Sequence, residues 1–221
     1  MNFGLRLAIL DADDYVREGR ALLFSSQPDF QVVYESGDPT SALEQLPEYL
    51  VDVILLDLRI PGWDAPGYIA NLSGRLVDAG SGASIVATTN FAFSNQELAV
   101  FQAGALDYVA INEGTGKLLK ALRQAATRET AVPAERLRGL IKESIGVPKP
   151  ALTVAYAQLE QNQLNVVSAM LEGKSDAQIA REFDLTRYRV SKFLDSLTVT
   201  AGYRTRSQLA LDLMRLVPDE G

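Results

Sequence analysis

The chain has 221 residues, 47% apolar and 22% charged, an ordinary globular composition that excludes disorder and fibrous repeats. It contains neither Cys nor His, which removes disulfides, thiolate or imidazole metal sites, Ser-His-Asp hydrolysis and phosphohistidine from its chemistry. The net charge of −7 is uneven, at −8 over residues 1–125, +2 over 126–150 and −1 over 151–221, and no apolar run approaches the roughly 18 residues that cross a bilayer.

The first half alternates between strand and helix. Leu5–Leu10 is a short apolar run that stops at acids, as a buried strand of a parallel sheet does. Tyr15–Ser25 follows as a helix, with Val16, Leu22 and Leu23 at near-helical spacing, and Phe30–Glu35 is a Val-rich second strand. Ser41-x-x-Glu44 has the form of a capping box and opens a short helix. Val51–Leu56 is the most apolar strand and ends at Asp57, after which Pro61-Gly62 turns the chain toward a helix around Tyr68–Val77. Ser84–Ala87 is a fourth strand, ending at Thr88. A helix over Asn95–Ala103 leads to a fifth strand at Leu106–Ile111, and Leu118, Leu119, Leu122 and Ala125 mark one face of a last helix. The pattern predicts a doubly wound, five-stranded parallel α/β sheet. Function in such sheets gathers at the carboxyl ends of the strands, and those ends carry Asp11, Asp57 and Thr88.

Residues 1–126 are thus one domain, and residues 1–125 resemble the receiver domain of bacterial two-component response regulators. The resemblance is carried by Ile9-Leu10-Asp11 with Tyr15–Gly19, by Asp52–Asp64, by Ile85–Thr88 and by Ala103–Tyr108. It implies that Asp57 is the acceptor of a phosphoryl group from a histidine kinase and that an acidic pair after the first strand holds magnesium. It further implies that Thr88 and a lysine after the fifth strand contact the phosphoryl oxygens, and that Tyr108 is the aromatic of the switch.

Two departures bear on that chemistry. Counting back from Val16–Gly19, the acidic pair falls on Asp11 and Ala12, and a methyl group supplies no ligand to a cation that needs oxygen donors. Asp13 lies one residue further along. Counting forward from Tyr108, the lysine position is Ile111, so the cation that stabilises charge on a transferring phosphoryl is missing. The expectation is a degenerate receiver with weak or lost magnesium binding, Asp11 and Asp57 being the ligands if magnesium binds at all. A register shift bringing Asn112, Lys117 or Asp13 into play would instead leave it fully phosphorylatable. The more apolar pocket also suits a small organic effector.

Residues 127–152 form a linker with Pro133, Gly139, Gly146 and Pro148, in which Leu137, Leu140 and Ile141 mark a short helix. Residues 153–221 predict four helices. Leu164, Val167, Met170 and Leu171 line the first, which stops at Gly173. Ser175-x-x-Gln178 caps the second, Thr186 the third, and Thr205-x-x-Gln208 the fourth. A turn at Asp184-Leu185 gives the second and third helices a helix-turn-helix layout. With Val190, Phe193 and Leu194 inward, Arg187, Tyr188, Ser191 and Lys192 face outward. Residues 186–206 carry Arg187, Arg189, Lys192, Arg204 and Arg206 against Asp195 alone, a local charge of +4. Cations at a helix N-terminus suit phosphates and base edges of duplex DNA.

Residues 159–213 resemble the LuxR-type helix-turn-helix of NarL/FixJ response regulators, through Gly173-x-Ser175, Ile179-Ala180, Leu185-Thr186, Val190, Gly202 and Arg204–Gln208. The resemblance implies a dimer whose third helices enter the major groove of half-sites about 10 bp apart. The DNA-contacting set is expected to be Thr186, Arg187, Tyr188, Arg189, Ser191, Lys192 and Arg206. Ser191 stands where a basic residue is usual, and Asp195 at a later contact position, so the base code departs from the common one. The whole chain reads as a cytoplasmic, homodimeric, DNA-binding transcription regulator rather than an enzyme, with no membrane segment or secretion signal. Its receiver is controlled by dimerisation, protein partners or a ligand. Asp11-x-Asp13 with Thr88 also resembles the opening motif of haloacid-dehalogenase-like phosphatases, a reading that Ile111 and the basic helix disfavour.

Overall fold

The short apolar runs of the first half become strands because each is buried on both faces, and the polar residues that end them fall at one edge. A computed structural model describes residues 4–89, 94–128, 135, 138–140 and 147–216, and the chain divides into two units that meet between Ala131 and Val132. In the first unit, strands β1 (Leu5–Leu10), β2 (Phe30–Ser36), β3 (Val53–Asp57), β4 (Ser84–Thr89) and β5 (Asp107–Ala110) alternate with helices α1 (Asp14–Ser25), α2 (Pro39–Gln45), α3 (Ala65–Asp78), α4 (Ser94–Ala103) and α5 (Thr115–Ala126). The sheet order is β2-β1-β3-β4-β5, and every pairing is parallel. The doubly wound parallel fold expected from the alternation is the fold observed.

Strand order reverses between β1 and β3, which opens a crevice at their carboxyl ends. The register there pairs Leu10 with Leu56 and Asp57 with Thr88, so Asp11, Asp57 and Thr88 converge on one edge. Beneath them Leu7, Ile9, Val53, Leu55 and Val86 join Phe24 of α1 and Leu122 of α5 in a fully enclosed core. Each such side chain contributes about 1.5–3 kcal/mol through burial.

Three details differ from the sequence reading. Helix α2 starts at Pro39 with Asp38 as its cap, accepting from the amides of Thr40 and Ser41. A proline preset for the first turn and a carboxylate before it outcompete the Ser41-x-x-Glu44 box. Leu22 of α1 points to solvent, 75% exposed, and the inner stripe of that helix carries Arg20 and Phe24 instead. Ile111 has left β5 and opens a 3₁₀ turn over Ile111–Glu113.

From residue 150 onward the second unit holds five helices rather than four among the described residues: α6 (Pro150–Ala157), α7 (Gln161–Leu171), α8 (Asp176–Glu182), α9 (Arg187–Thr200) and α10 (Arg206–Leu216). The extra one, α6, begins inside the stretch read as linker, since Pro150 occupies the first turn, where its missing N–H costs nothing. Pro133, Leu137, Ile141 and Gly146 of the expected linker helix lie outside the described residues, while Leu140 is helical and buried. Helix α9 serves two clusters. Its Leu197 packs with Leu152, Val167, Leu209 and Leu213, and its Val190 and Leu194 pack with Val166, Ile179 and Ala180. Among the described residues no helix is long and apolar enough to cross a membrane.

Arg6 ties the start of β1 to the residue before β3, donating from Nε (3.1 Å) and Nη2 (2.6 Å) to the Asp52 carboxylate. This guanidinium holds Asp52 below the usual carboxylate range, and Arg123 does the same for Asp29. A carboxyl whose folded pKa is depressed adds stability above its unfolded value of 3.8 and loses it as pH falls through the lower folded value. Urea-unfolding midpoints measured from neutral pH into acid are expected to fall below about pH 4. The fall should be shallower in Asp52→Asn.

Candidate functional site

The edge where β1 and β3 end presents two buried carboxylates, and the chain itself answers both. Asp11 and Asp57 are buried, Asp57 to 1% exposure. One oxygen of Asp11 accepts from the Asp13 amide (3.0 Å) and the other from Arg20 Nη1 (2.6 Å). Arg20 reaches the site from the inner face of α1 and is itself 7% exposed. Its second terminal nitrogen stands 3.6 Å from Asp57 Oδ2. Asp57 Oδ1 accepts from the amide (2.9 Å) and Nε (3.0 Å) of Arg59, whose side chain is half exposed. Two carboxylates thus meet two guanidinium groups, and the cluster is neutral. Burial pushes the Asp11 carboxyl up, against the opposing pull of the Asp13 amide and Arg20. The bond to Asp57 raises Arg59 further above its ordinary value.

The other expected members of this pocket are placed as follows. Ala12 is exposed and supplies a methyl group to the rim. Asp13 caps α1, accepting from the amides of Tyr15 (3.1 Å) and Val16 (3.2 Å), so its carboxylate is spent on the helix end and not turned into the site. Ile111 is 41% exposed beyond the end of β5, and Lys117 pairs with Glu113 one helical turn away instead of replacing it. Thr88 is fully buried, and its hydroxyl has no hydrogen-bond partner. Tyr108 is likewise enclosed. A small, open cleft beside the cluster is lined by Asp11, Ala12, Asp38, Asp57, Arg59 and Tyr68, among others.

These residues do not fit magnesium. Among the described residues no group of three or more Asp, Glu, His or Cys side chains is placed to hold a metal ion. The oxygens that Asp11 and Asp57 could offer already face N–H donors, and a near-octahedral oxygen shell cannot be completed by Ala12. Arg20 and Arg59 were absent from the sequence reading. A usable signal existed for Arg20, which sits on the 16, 20, 24 stripe of an otherwise inward helix face whose neighbouring strands end in aspartate.

The second candidate site is the basic helix. After α8 the chain turns through Asp184, whose φ of 52° is left-handed, and Thr186 then caps α9 by accepting from the Arg189 amide (3.2 Å). With Val190, Leu194 and Leu197 buried, Thr186, Arg187, Tyr188, Arg189 and Lys192 are all exposed in the N-terminal half of the helix. Tyr188 is 71% exposed, and Lys192 Nζ lies 5.8 Å from the centre of its ring.

Arg206 is a correction. It was expected on the DNA-contacting face, yet it is 4% exposed. Its guanidinium donates to Asp176 at the start of α8 (2.8 and 2.9 Å) and to Asp195 (3.1 and 3.0 Å) and Ser191 Oγ (3.0 Å) of α9. It therefore clamps three helices. Ser191, expected to face outward, is half-buried with its oxygen held in this clamp. Counting charge along the sequence missed the pairing because Asp176 lies 30 residues away. Once Arg206 and Asp195 cancel, the exposed positive charge of the segment rests on Arg187, Arg189, Lys192 and Arg204. Arg206→Ala is expected to cost about 3–5 kcal/mol by stranding Asp176, read as a lower urea-unfolding midpoint by circular dichroism. Adding Asp176→Asn should recover part of the loss.

A doubly wound parallel sheet with acids at its switch point, followed by a helix-turn-helix unit, defines the architecture of NarL-type response regulators. Residues 7–123, more than half of the chain, match the response regulator receiver domain family, and the chain belongs to that family. It is similar to the transcriptional regulatory protein LiaR of Bacillus subtilis, 24% identical over 207 residues that span 94% of this chain and 95% of LiaR. The oxygen regulatory protein NreC of Staphylococcus aureus is 24% identical over 208 residues, 93% of this chain and 94% of NreC. The RcsB response regulator of Salmonella typhimurium shares the fold at 21% identity and a TM-score of 0.55, over 98% of this chain and 100% of RcsB.

Proposed function

We propose that this protein is a transcription regulator that binds duplex DNA as a homodimer through α9, with a receiver unit that works without phosphorylation of Asp57. The observation that carries the DNA reading is the outward face of α9, where Thr186, Arg187, Tyr188, Arg189 and Lys192 are exposed together at a capped helix N-terminus. Side chains of this kind serve two purposes on DNA. Arg and Lys neutralise phosphates and release counterions, which makes affinity salt-dependent. Arg can also take the O6/N7 edge of guanine in bidentate fashion, and a Tyr ring offers an apolar face to a thymine methyl. Full-length similarity to LiaR, a transcriptional regulatory protein, supports the role, as does a structure of two RcsB dimers bound to two parallel DNAs, at 19% identity a guide to the fold.

The receiver half of the reading rests on the neutral cluster and on what is missing around it. Ala12 gives no metal ligand, Ile111 gives no cation, and Lys117 is committed to Glu113. Positioning and charge stabilisation are most of the catalysis of phosphoryl transfer, and the metal ligand and the lysine expected to supply them are replaced by Ala12 and Ile111. Control then passes from a kinase to the contacts that set the dimer, and the rigid scaffold of the first unit remains as the platform for them.

Selection of bound duplexes from random sequence, carried out with the wild-type chain and with Asp57→Asn, tests the two halves together. The expected result is one two-fold motif, recovered equally by both proteins. Arg189→Ala or Lys192→Ala is expected to weaken binding while leaving the fold intact. If the lost contact is to phosphate, the slope of log affinity against log salt should drop by about one. An absence of salt-sensitive DNA binding by the wild-type chain would overturn the regulator reading. Dependence of binding on an ionised Asp57 would overturn the phosphorylation-independent one.

A further inference from the structure

The carboxylates at the strand ends are enclosed with an internal cation already between them. Asp11 Oδ2 takes Arg20 Nη1 at 2.6 Å, and the other end of the same guanidinium reaches Asp57 Oδ2 at 3.6 Å. Arg20 spans the two acids from the side of α1, and its side chain is 8% exposed against 1% and 0% for theirs. The loop that delivers Asp11 is fastened from the same helix, where Arg17 Nη1 donates to the Asp11 carbonyl oxygen (2.7 Å). On the open side, Arg59 closes Asp57 through its amide and Nε.

We infer that Arg20 is a resident counter-ion, standing between Asp11 and Asp57 in place of a divalent cation and fixing the unit in one charge-balanced state that takes up neither metal nor phosphoryl group. This rests on the reading of the first unit as a receiver that works without phosphoryl transfer, and supplies its physical cause. Two buried carboxylates demand positive charge, because burial disfavours ionisation and like charges raise one another. A guanidinium meets that demand permanently, being protonated at every accessible pH and shaped to bond two acceptors at once. A divalent cation entering beside it would bring two more positive charges to a neutral cluster. To displace Arg20 the cation would have to drive a buried guanidinium out of its bonds, with no second acid at Ala12 to reward the exchange.

The inference is tested on the full-length chain by thermal unfolding in Mg²⁺ or Mn²⁺, with intact-mass measurement after acetyl phosphate and Mg²⁺. The wild-type midpoint is expected not to move with either cation, and no phosphoryl mass should appear on Asp57. Arg20→Met, which keeps the apolar stem, is expected to be less stable without metal and to recover by roughly 3–6 °C as Mn²⁺ saturates the vacated acids. Adding Asp57→Asn to that variant should abolish the recovery. A wild-type response to Mn²⁺ or a Mg²⁺-dependent adduct on Asp57 overturns the inference, as does a folded Arg20→Met variant indifferent to Mn²⁺. If Arg20→Met does not fold at any Mn²⁺ concentration, Ala12→Asp decides. With Arg20 still in place it is expected to gain no cation affinity, and a gain overturns the inference. DNA binding by the wild-type preparation is scored separately, so that its absence sinks the regulator reading and leaves this one standing.

Discussion

Buried negative charge at the carboxyl edge of the sheet is the constraint from which the rest of the first unit follows. A parallel sheet covered by helices on both faces delivers its strand ends into partly dry surroundings, and here the register delivers two aspartates side by side. Their ionised forms need a positive partner held close, since an uncompensated buried charge costs several kcal/mol. The partner could be a mobile ion or a tethered one. In this structure two tethered arginines, Arg20 and Arg59, stand there. That need explains why α1 carries an arginine on its inner stripe, where an apolar residue would have packed more cheaply.

The second unit meets the same problem in the same way. Arg206 lies buried among acids from two other helices, and its bonds fix where α9 sits against α8 and α10. Helix α9 has a modest apolar stripe divided between two small clusters. A planar fork with bonds to Asp176, Ser191 and Asp195 adds directional bonds to that packing. The outward residues Arg187, Tyr188, Arg189 and Lys192 inherit their aim from this clamp. A guanidinium held inside the fold can thus set the direction of cations exposed on the surface.

Much of the fold was legible because burial on both faces writes itself as uninterrupted apolar runs. Val53–Leu56 and Leu7–Leu10 could hardly be anything but central strands. The caps at Ser175 and Thr186 were readable for a similar reason, since a hydroxyl before an apolar-periodic stretch has one economical use. What escaped was pairing across distance. Arg20 and Arg206 look like surface residues in a linear reading, where a charge on a helix is assigned to solvent. Only the fold places Asp11, Asp57, Asp176 and Asp195 around them. The missed helix α6 has a different cause, because two prolines within three residues read as a connector although the second one starts a helix. The outward Leu22 shows the converse error, in which an apolar residue was counted as core when the charged neighbour two positions earlier held the inner place.

The presence of Asp57 and Thr88 at their strand ends takes on another meaning in this light. A carboxylate at the end of β3 invites a chemical interpretation, but in this structure it also takes part in a network of ion pairs. Arg20 shares its charge between two acids, and Arg59 folds back over Asp57 through both amide and side chain. Thr88 is enclosed beside them, its hydroxyl without a hydrogen-bond partner. An aspartate at a phosphoacceptor position is therefore weak evidence of phosphorylation unless its oxygens face outward and its neighbours can admit a cation. In this chain they face arginine.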